Sequence, residues 1–477
     1  MKSKSQISLQ LQTLHNEVTG SCTFCIVDYP DLTTERFALD CGFFQHDEER
    51  EYNTSFPFQP SELDFVVVSH NHFDHTGRLP LLVKEGFHGA IYTSEDTEKL
   101  LSISLPKAKE AVHELSKKLE TPPLYSPEDI QATLGILMPI PMREKHQVTD
   151  HIWLTFFENG HVPGAVITLL EICFKKQKLN FLFTGDYNPQ NVFLKIRELP
   201  PWVKKLPNLY VLMESTYGSL SQNKVRNTFS KTVASHIRNG FTVFCPAFAF
   251  SSAQKVLYAI KQMQQNHQLD PSVPIYLDGK QAIAFTELFA SGQLNLLPLM
   301  EDFRPENLHY VSSDNRKEVM ESPGPKIIVS SSGNASRGAA SLYLPSFAGR
   351  SDVLIHFTGH LFEGSTSYEL YHAPEGTEVT IGGQSITKRA KIASTHQFSG
   401  HAKQEDLIHF LKQFRDLNAV FLNHGEVPVK EELQRLIRKK VHVRYVCMTS
   451  REYSFRLGPT RLYEKKDRSI FYKSLCA

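Results

Sequence analysis

At 477 residues the chain is long for a single hydrophobic core and reads as two domains. Hydrophobic residues make up 41% and charged residues 22%, a soluble globular composition, and 52 basic against 51 acidic residues leave a net charge of +1. That balance excludes a whole-molecule field drawing the chain to nucleic acid or membrane, so any anionic partner has to be met by a local patch.

The cysteines Cys22, Cys25, Cys41, Cys173, Cys245, Cys447 and Cys476 are odd in number and scattered through apolar stretches, which suits thiols in a reducing compartment. Cys22 and Cys25 form a C-x-x-C without the second pair a zinc knuckle needs, inside a strand-like run. The N-terminus has no continuous apolar segment of the signal-peptide kind, and no stretch approaches bilayer-spanning length. A cytoplasmic protein without a membrane partner is expected.

Taken in order, Ser8 to Val27 and Phe37 to Asp40 alternate as a strand meander. The second run ends in Asp40-Cys41-Gly42, where the acid either orients a metal-bound histidine from behind or merely caps a turn. Asp64 to Val68 is an apolar, β-branched strand, and Thr76-Gly77-Arg78-Leu79-Pro80 breaks the pattern, so His70-Asn71-His72-Phe73-Asp74-His75 between them reads as a loop at the strand's C-terminal end. Three imidazoles and a carboxylate within six residues are poorly explained as packing, because each needs a partner. A divalent cation satisfies them together, zinc being one that takes both donor types, and a two-metal site needs this many donors close by.

Leu79 to Phe87 reads as a short helix and Asp96 to Leu134 as further helices. Strand patterns then recur, each followed by an acid or histidine: Ile152–Phe157 before Gly160-His161, Leu179–Thr184 before Gly185-Asp186, Leu209–Met213 before Glu214, and Ala419–Leu422 before Asn423-His424. Ligands and catalytic groups gather at the carboxyl ends of strands in layered α/β folds, so these ends point to one shared site. His146, His151, His267, His356, His360 and His442 lack such company and read as surface or core residues. Between about Ser219 and Ile386 lies a separate α/β rhythm, with strands at Phe241–Cys245, Pro274–Leu277, Lys326–Val329 and Val353–Phe357 and helices at Ala253–Gln265 and Ala282–Phe289. Metal-type residues both precede and follow it, which marks it as an insertion.

Taken with Val18-Thr19-Gly20-Ser21, Glu214-Ser215-Thr216-Tyr217-Gly218, Pro246-Ala247-Phe248-Ala249, Ser331-Ser332-Gly333 and Phe398-Ser399-Gly400-His401-Ala402, these pieces resemble the metallo-β-lactamase fold with a β-CASP insertion, the nucleic-acid-processing branch of that superfamily. The resemblance implies an αββα sandwich formed by residues 1–218 and 387–477, with an α/β β-CASP domain over 219–386. It implies two zinc ions, one held by His70, His72 and His161 and the other by Asp74, His75 and His424, with Asp186 between them. Glu214 resembles the first acid associated with the insertion and His401 a histidine that gives a proton to the leaving oxygen. Asp74, Asp186, Glu214 and His401 are the implied catalytic residues, with Asp40 behind the metal ligands.

Histidine at position 424 matches the RNA-processing members, and Thr76 to Pro80 looks like the endonuclease of the cleavage and polyadenylation specificity factor and its bacterial relatives. The implied activity is a ribonuclease, chiefly endonucleolytic on single-stranded RNA, with 5′→3′ exonucleolysis and homodimerisation left open. A DNA nuclease, a small-molecule hydrolase and a catalytically idle scaffold are the alternatives. Candidate RNA contacts are Ser331, Ser332 and Gly333 at a strand end and the basic run Lys388, Arg389 and Lys391, with Lys224, Arg226 and Lys231 after the Glu214 segment. Departures from the family pattern fall in the insertion, at Ser251, Ser252, Gly279, Lys280 and Asn334, and bear on substrate grip rather than on the metal residues.

Overall fold

The computed structural model describes residues 6–45, 47–221, 228–298, 302–359, 361, 364–460 and 462–466. The chain divides into two compact units, residues 1–222 with 401–477, and residues 223–400. Lys224, Arg226, His360 and Cys476 lie outside the described residues. Among those described, no helix is long and apolar enough to cross a membrane.

The first unit is built on two sheets. The eight-stranded sheet runs from the C-terminal hairpin (Tyr453–Leu457 and Leu462–Lys466) through Ser8–Thr13, Thr23–Asp28, Thr34–Leu39, Phe65–Val67 and Ala90–Thr93 to Leu137–Pro139. The seven-stranded sheet is ordered Val443–Met448, Leu417–Asn423, Leu209–Glu214, Gln177–Phe183, Val166–Phe174, Ile152–Glu158, Lys145–Gln147. Alternation along each strand assigns its two faces. Phe181, Phe183, Tyr210, Leu212 and Phe421 share a core with Leu9, Leu11, Val27, Phe37 and Phe65 of the other sheet. The intervening Leu182, Val211, Met213, Val420 and Leu422 pack outward against Leu407, Phe410, Leu433 and Ile437 of the helices Gln404–Lys412 and Val427–Lys440. On the opposite outer face, Phe24, Val66 and Ile91 meet Leu82, Leu101, Leu105 and Ile130 of the helices Leu79–Lys84, Glu95–Lys107 and Pro127–Gly135. The result is a helix–sheet–sheet–helix sandwich in which each fully buried aliphatic or aromatic side chain contributes about 1.5–3 kcal/mol.

Directionality positions the site. Gln177–Phe183, Leu209–Glu214 and Leu417–Asn423 are mutually parallel, and Ile152–Glu158, two antiparallel steps away, runs the same way. Their carboxyl ends therefore share one edge. In the other sheet Thr34–Leu39 and Phe65–Val67 are parallel, and the Val166 N–H donates to the Ser69 carbonyl at 3.0 Å, joining the two sheets at that edge.

The second unit is a six-stranded sheet ordered Leu308–Val311, Ile275–Asp278, Lys326–Ser330, Thr242–Pro246, Val353–Phe357, Lys391–Ser394. Every pairing in it is parallel. Its helices include Phe229–Arg238, Ser252–Gln265, Lys280–Ala290 and Gly338–Ala348.

Two expectations need correction. The return to the first unit, expected at residue 387, comes at 401, because Lys391–Ser394 adds a parallel edge strand to the inserted sheet through Leu354↔Lys391 to Phe357↔Ser394. The hexapeptide is not entirely loop. Phe73–Thr76 forms one helical turn, closed by the Gly77 N–H donating to the Phe73 carbonyl at 2.8 Å, and the Thr76 hydroxyl donates to the His72 carbonyl at 2.9 Å.

Candidate metal centre

His70 and His72 follow the Phe65–Val67 strand, His72 in extended backbone, and the helical turn then presents Asp74 and His75. Glycines allow the close approaches around them. A Cβ on Gly42 would lie 1.6 Å from the Asp74 carbonyl oxygen, and one on Gly160 2.1 Å from the Asn188 carbonyl oxygen, at a φ of +76°. His161 follows Gly160, Asp186 follows Gly185, Glu214 closes its strand and His424 stands one residue past another.

Two overlapping donor groups result. His70 Nε2 is 2.9 Å from His72 Nδ1, which is 3.0 Å from His161 Nε2. Asp186 Oδ2 lies 3.7 Å from His70 Nε2 and 3.6 Å from His161 Nε2. In the second group Asp74 Oδ2 is 3.8 Å from His75 Nε2 and 3.6 Å from His424 Nε2. Asp186 reaches this group also, with Oδ2 at 3.4 Å from His75 Nε2 and Oδ1 at 3.3 Å from His424 Nδ1. The donor atoms of His70, His72, His161 and Asp186, and those of Asp74, His75 and His424, lie within 4.8 Å of one another in each set.

These residues fit metal. Two nitrogens ligating one zinc at 2.0–2.1 Å sit about 3.3 Å apart in a tetrahedral shell, close to the spacings found. Among the described residues, His75 Nε2, His424 Nε2 and Asp186 Oδ1 are buried without a hydrogen-bond partner, a costly arrangement that a cation relieves. Protonation tendencies agree. Burial, with His75 beside it, holds His70 well below its ordinary value, and burial brings His72 down to about 4, so both are neutral ligands near pH 7. Burial works against the ionised form of Asp74, but His75 and His424 outweigh it and bring the carboxyl to about 2. His75 goes the other way: burial opposes its charge, yet Asp186, Asp40 and Asp74 raise it well above the ordinary range. The carboxylates around His75 thus favour positive charge at this point of the cluster.

Behind the ligands Asp40 is fully buried and in left-handed backbone, φ 60°. Its Oδ1 accepts from the Ser69 N–H at 2.7 Å; its Oδ2 accepts from the Ser69 hydroxyl at 3.0 Å and lies 2.7 Å from His75 Nδ1. With Nδ1 carrying the proton, Nε2 keeps its lone pair for metal. Of the two readings open for Asp40, this geometry favours orientation of His75 over a turn cap.

His401, one-fifth exposed, places Nδ1 at 2.9 Å from Glu214 Oε2. The other carboxylate oxygen, Oε1, accepts the Tyr187 N–H. Burial lowers the tendency of His401 to protonate, but Glu214 and Asp186 outweigh it and raise the pKa above the ordinary value.

Two further residues, which the sequence does not single out, support the cluster. Asn159 accepts the His161 N–H at 2.9 Å and donates to the Asp186 carbonyl at 2.6 Å and the Thr184 carbonyl at 3.1 Å, tying two ligand loops together. Thr216 places its hydroxyl 3.1 Å from both His424 Nδ1 and the His424 carbonyl. A buried amide next to Gly160-His161 at a strand end was the available signal for Asn159.

In the second unit Ser331 and Ser332 are half-buried and Gly333 is buried at the end of Lys326–Ser330. The basic run differs from expectation. Lys388 is buried with its ammonium donating to the Ala373 carbonyl, and Lys391 pairs with Glu375 at 2.7 Å, so only Arg389 of the three is exposed without an ion pair among the described residues. Lys231 is exposed.

Models of protein families match in chain order: the metallo-β-lactamase superfamily over residues 39–222, the β-CASP domain over 253–370 and the zinc-dependent metallo-hydrolase RNA specificity domain over 385–447. Ribonuclease TTHA0252 of Thermus thermophilus is 30% identical over 423 residues, covering 86% of this chain and 91% of that protein. The chain belongs to the β-CASP branch of the metallo-β-lactamase superfamily. Among other relatives in the branch, transcription termination factor FttA of Methanosarcina mazei is 26% identical over 448 residues, 87% of this chain and 67% of that protein. The FttA of Lokiarchaeum sp. is 27% identical over 406 residues, 80% of this chain and 62% of that protein. In this β-CASP chain the His/Asp cluster brings together donors of the kind a metal ion takes, and they come from both sides of the insertion.

Proposed function

We propose that the protein is a zinc-dependent ribonuclease that hydrolyses phosphodiester bonds of single-stranded RNA, chiefly endonucleolytically. The carrying observation is the convergence of His70, His72, Asp74, His75, His161, Asp186 and His424 on one buried centre. The name of the Thermus relative, the RNA specificity domain over residues 385–447 and the histidine at position 424 support RNA as the substrate class. His70, His72 and His161 would hold one zinc and Asp74, His75 and His424 a second, with Asp186 facing both. When bound, such a pair supplies Lewis-acid charge for the phosphoryl oxygens and water activated near neutral pH.

The chain's own groups do the rest. Asp40 fixes the His75 tautomer, and Asn159 and Thr216 hold the loops of His161, Asp186 and His424. Glu214, anchored by the Tyr187 N–H, engages His401 Nδ1, so Nε2 is the nitrogen that would deliver a proton to the leaving oxygen. The test is incubation of purified protein with 5′-labelled RNA and a matched DNA strand, with and without chelator, beside His161→Ala. RNA cleavage that chelator and His161→Ala both abolish supports the proposal. Equal or faster cleavage of the DNA, or RNA cleavage indifferent to chelator, overturns it.

A further inference from the structure

Two residues past His401, and immediately before the helix Gln404–Lys412, stands Lys403, which is 8% exposed. Its ammonium donates to the His401 carbonyl at 3.2 Å and lies 4.4 Å from the centre of the Tyr217 ring. The Tyr217 and His401 rings in turn meet nearly at right angles, with centroids 5.8 Å apart. Among the described residues the ammonium has no other hydrogen-bond acceptor and no carboxylate within ion-pair distance. The nearby acids are engaged elsewhere: Asp406 accepts the Lys403 backbone N–H at 3.1 Å and the Gln190 amide at 3.0 Å, and Glu214 accepts from Tyr187 and His401.

As a stabilising choice this residue is poor on two counts. Position and charge disagree, because the residue before a helix is best a short oxygen-bearing side chain and the helix N-terminus favours negative charge. Burial and charge disagree too, since an ammonium removed from water with a single neutral acceptor is left under-satisfied. An anion arriving beside His401 removes both conflicts, accepting the two remaining N–H groups and meeting the positive end of the helix. Tyr217 guides the ammonium without neutralising it, because the ring face attracts a cation and keeps its charge.

Resting on the ribonuclease reading, we infer that Lys403 is a substrate-binding residue that grips a backbone phosphate of the RNA next to His401, adjacent to the phosphodiester being cut. A lysine suits that task as a compact charge with rotatable donors.

The experiment uses zinc-loaded protein. RNA binding is measured by fluorescence anisotropy across a salt series in a His401→Ala background, where bound strand is not consumed, with Lys403→Met, Lys403→Arg and Lys403→Ser added singly. Melting temperatures of the same proteins are recorded, and RNA cleavage is followed with His401 intact. Lys403→Met is expected to weaken binding about tenfold and to flatten the slope of log affinity against log salt by about 0.7, one phosphate contact on a single strand. Lys403→Arg should keep the slope, and Lys403→Ser, a better helix cap, should lose the slope while melting no lower than its parent. An unchanged slope in Lys403→Met overturns the inference, as does a loss of affinity that tracks a fall in melting temperature at constant slope. A protein that binds with the expected slope differences yet cuts no RNA overturns the hydrolytic reading and leaves the phosphate grip supported.

Discussion

Asp40→Asn changes one atom of a fully buried side chain and is expected to weaken zinc binding by about 10- to 100-fold while leaving the fold intact. The magnitude follows from what the carboxylate accepts: the Ser69 N–H at 2.7 Å on Oδ1, and on Oδ2 the Ser69 hydroxyl at 3.0 Å with His75 Nδ1 at 2.7 Å. An amide has one acceptor oxygen, so either orientation sets an NH2 against a donor. With the amide nitrogen toward His75, the histidine must accept at Nδ1, which moves its proton to Nε2, the atom that faces Asp74 and Asp186. That tautomer has no lone pair for metal. With the nitrogen toward Ser69, a buried backbone N–H loses its acceptor at about 1–3 kcal/mol, a range that includes the 1.4–2.8 kcal/mol equivalent to 10- to 100-fold in affinity. The assay is zinc competition against a chromophoric chelator, with metal content by elemental analysis and melting curves in chelator. Asp40→Asn that retains wild-type zinc affinity would refute the tautomer argument. A variant that melts far lower in chelator would show instead that Asp40 acts mainly on folding.

Removing the proposed proton donor with His401→Ala should cut RNA turnover by about 10²–10⁴-fold without changing zinc content; full turnover would remove that role. In the second unit, burial brings the pKa of His356 from its ordinary 6.5 to about 4, so the folded state favours the neutral ring and the unfolded chain takes up the proton first as pH falls. The stability this His contributes is present above pH 6.5 and is lost on going down to pH 4, by about 3 kcal/mol over that span. Urea denaturation of chelated protein should therefore fall less steeply between pH 6.5 and 4 for His356→Leu than for wild type, and parallel curves would contradict this. Ser251 sits at φ 67°, ψ −48°, buried and with no hydroxyl partner among the described residues. Ser251→Gly should raise stability by about 1 kcal/mol, read as a higher denaturation midpoint; an unchanged or lower midpoint would count against backbone strain there.

The residues of the His/Asp cluster are legible in the sequence because of where they fall. A histidine or acid directly after an apolar strand pattern is a polar group at the edge of a core, and several such endings with metal-type side chains have few joint explanations. The resemblance then ordered them into a ligand set. Asn159 and Thr216 escaped because they act on backbone carbonyls and amides of neighbouring loops, contacts with no spacing signature. Lys388 misled for a related reason: sequence reports its charge, whereas its amine is buried against the Ala373 carbonyl. The edge strands Leu308–Val311 and Lys391–Ser394 carry His309 and Lys391 among half-exposed neighbours, so neither reads as a core strand, and the boundary expected at 387 moves to 401 with the second of them.

Register explains why donors separated by more than 350 residues in sequence become neighbours. Phe183 pairs with Leu212 and Glu214 with Asn423 in parallel ladders, so the residues just beyond those strands, Asp186, Ser215 and His424, emerge side by side from one sheet edge. The Ser215 N–H donates to the His424 carbonyl at 3.1 Å, extending the ladder one step past the strand. A one-residue slip of Leu417–Asn423 would turn Val420 and Leu422 from the helix-covered face to the inter-sheet core and carry His424 away from Asp74. Hydrophobic patterning therefore sets the geometry of the His/Asp cluster as well as stability: the alternation that sends Phe421 into the core between the sheets also delivers His424 to that cluster.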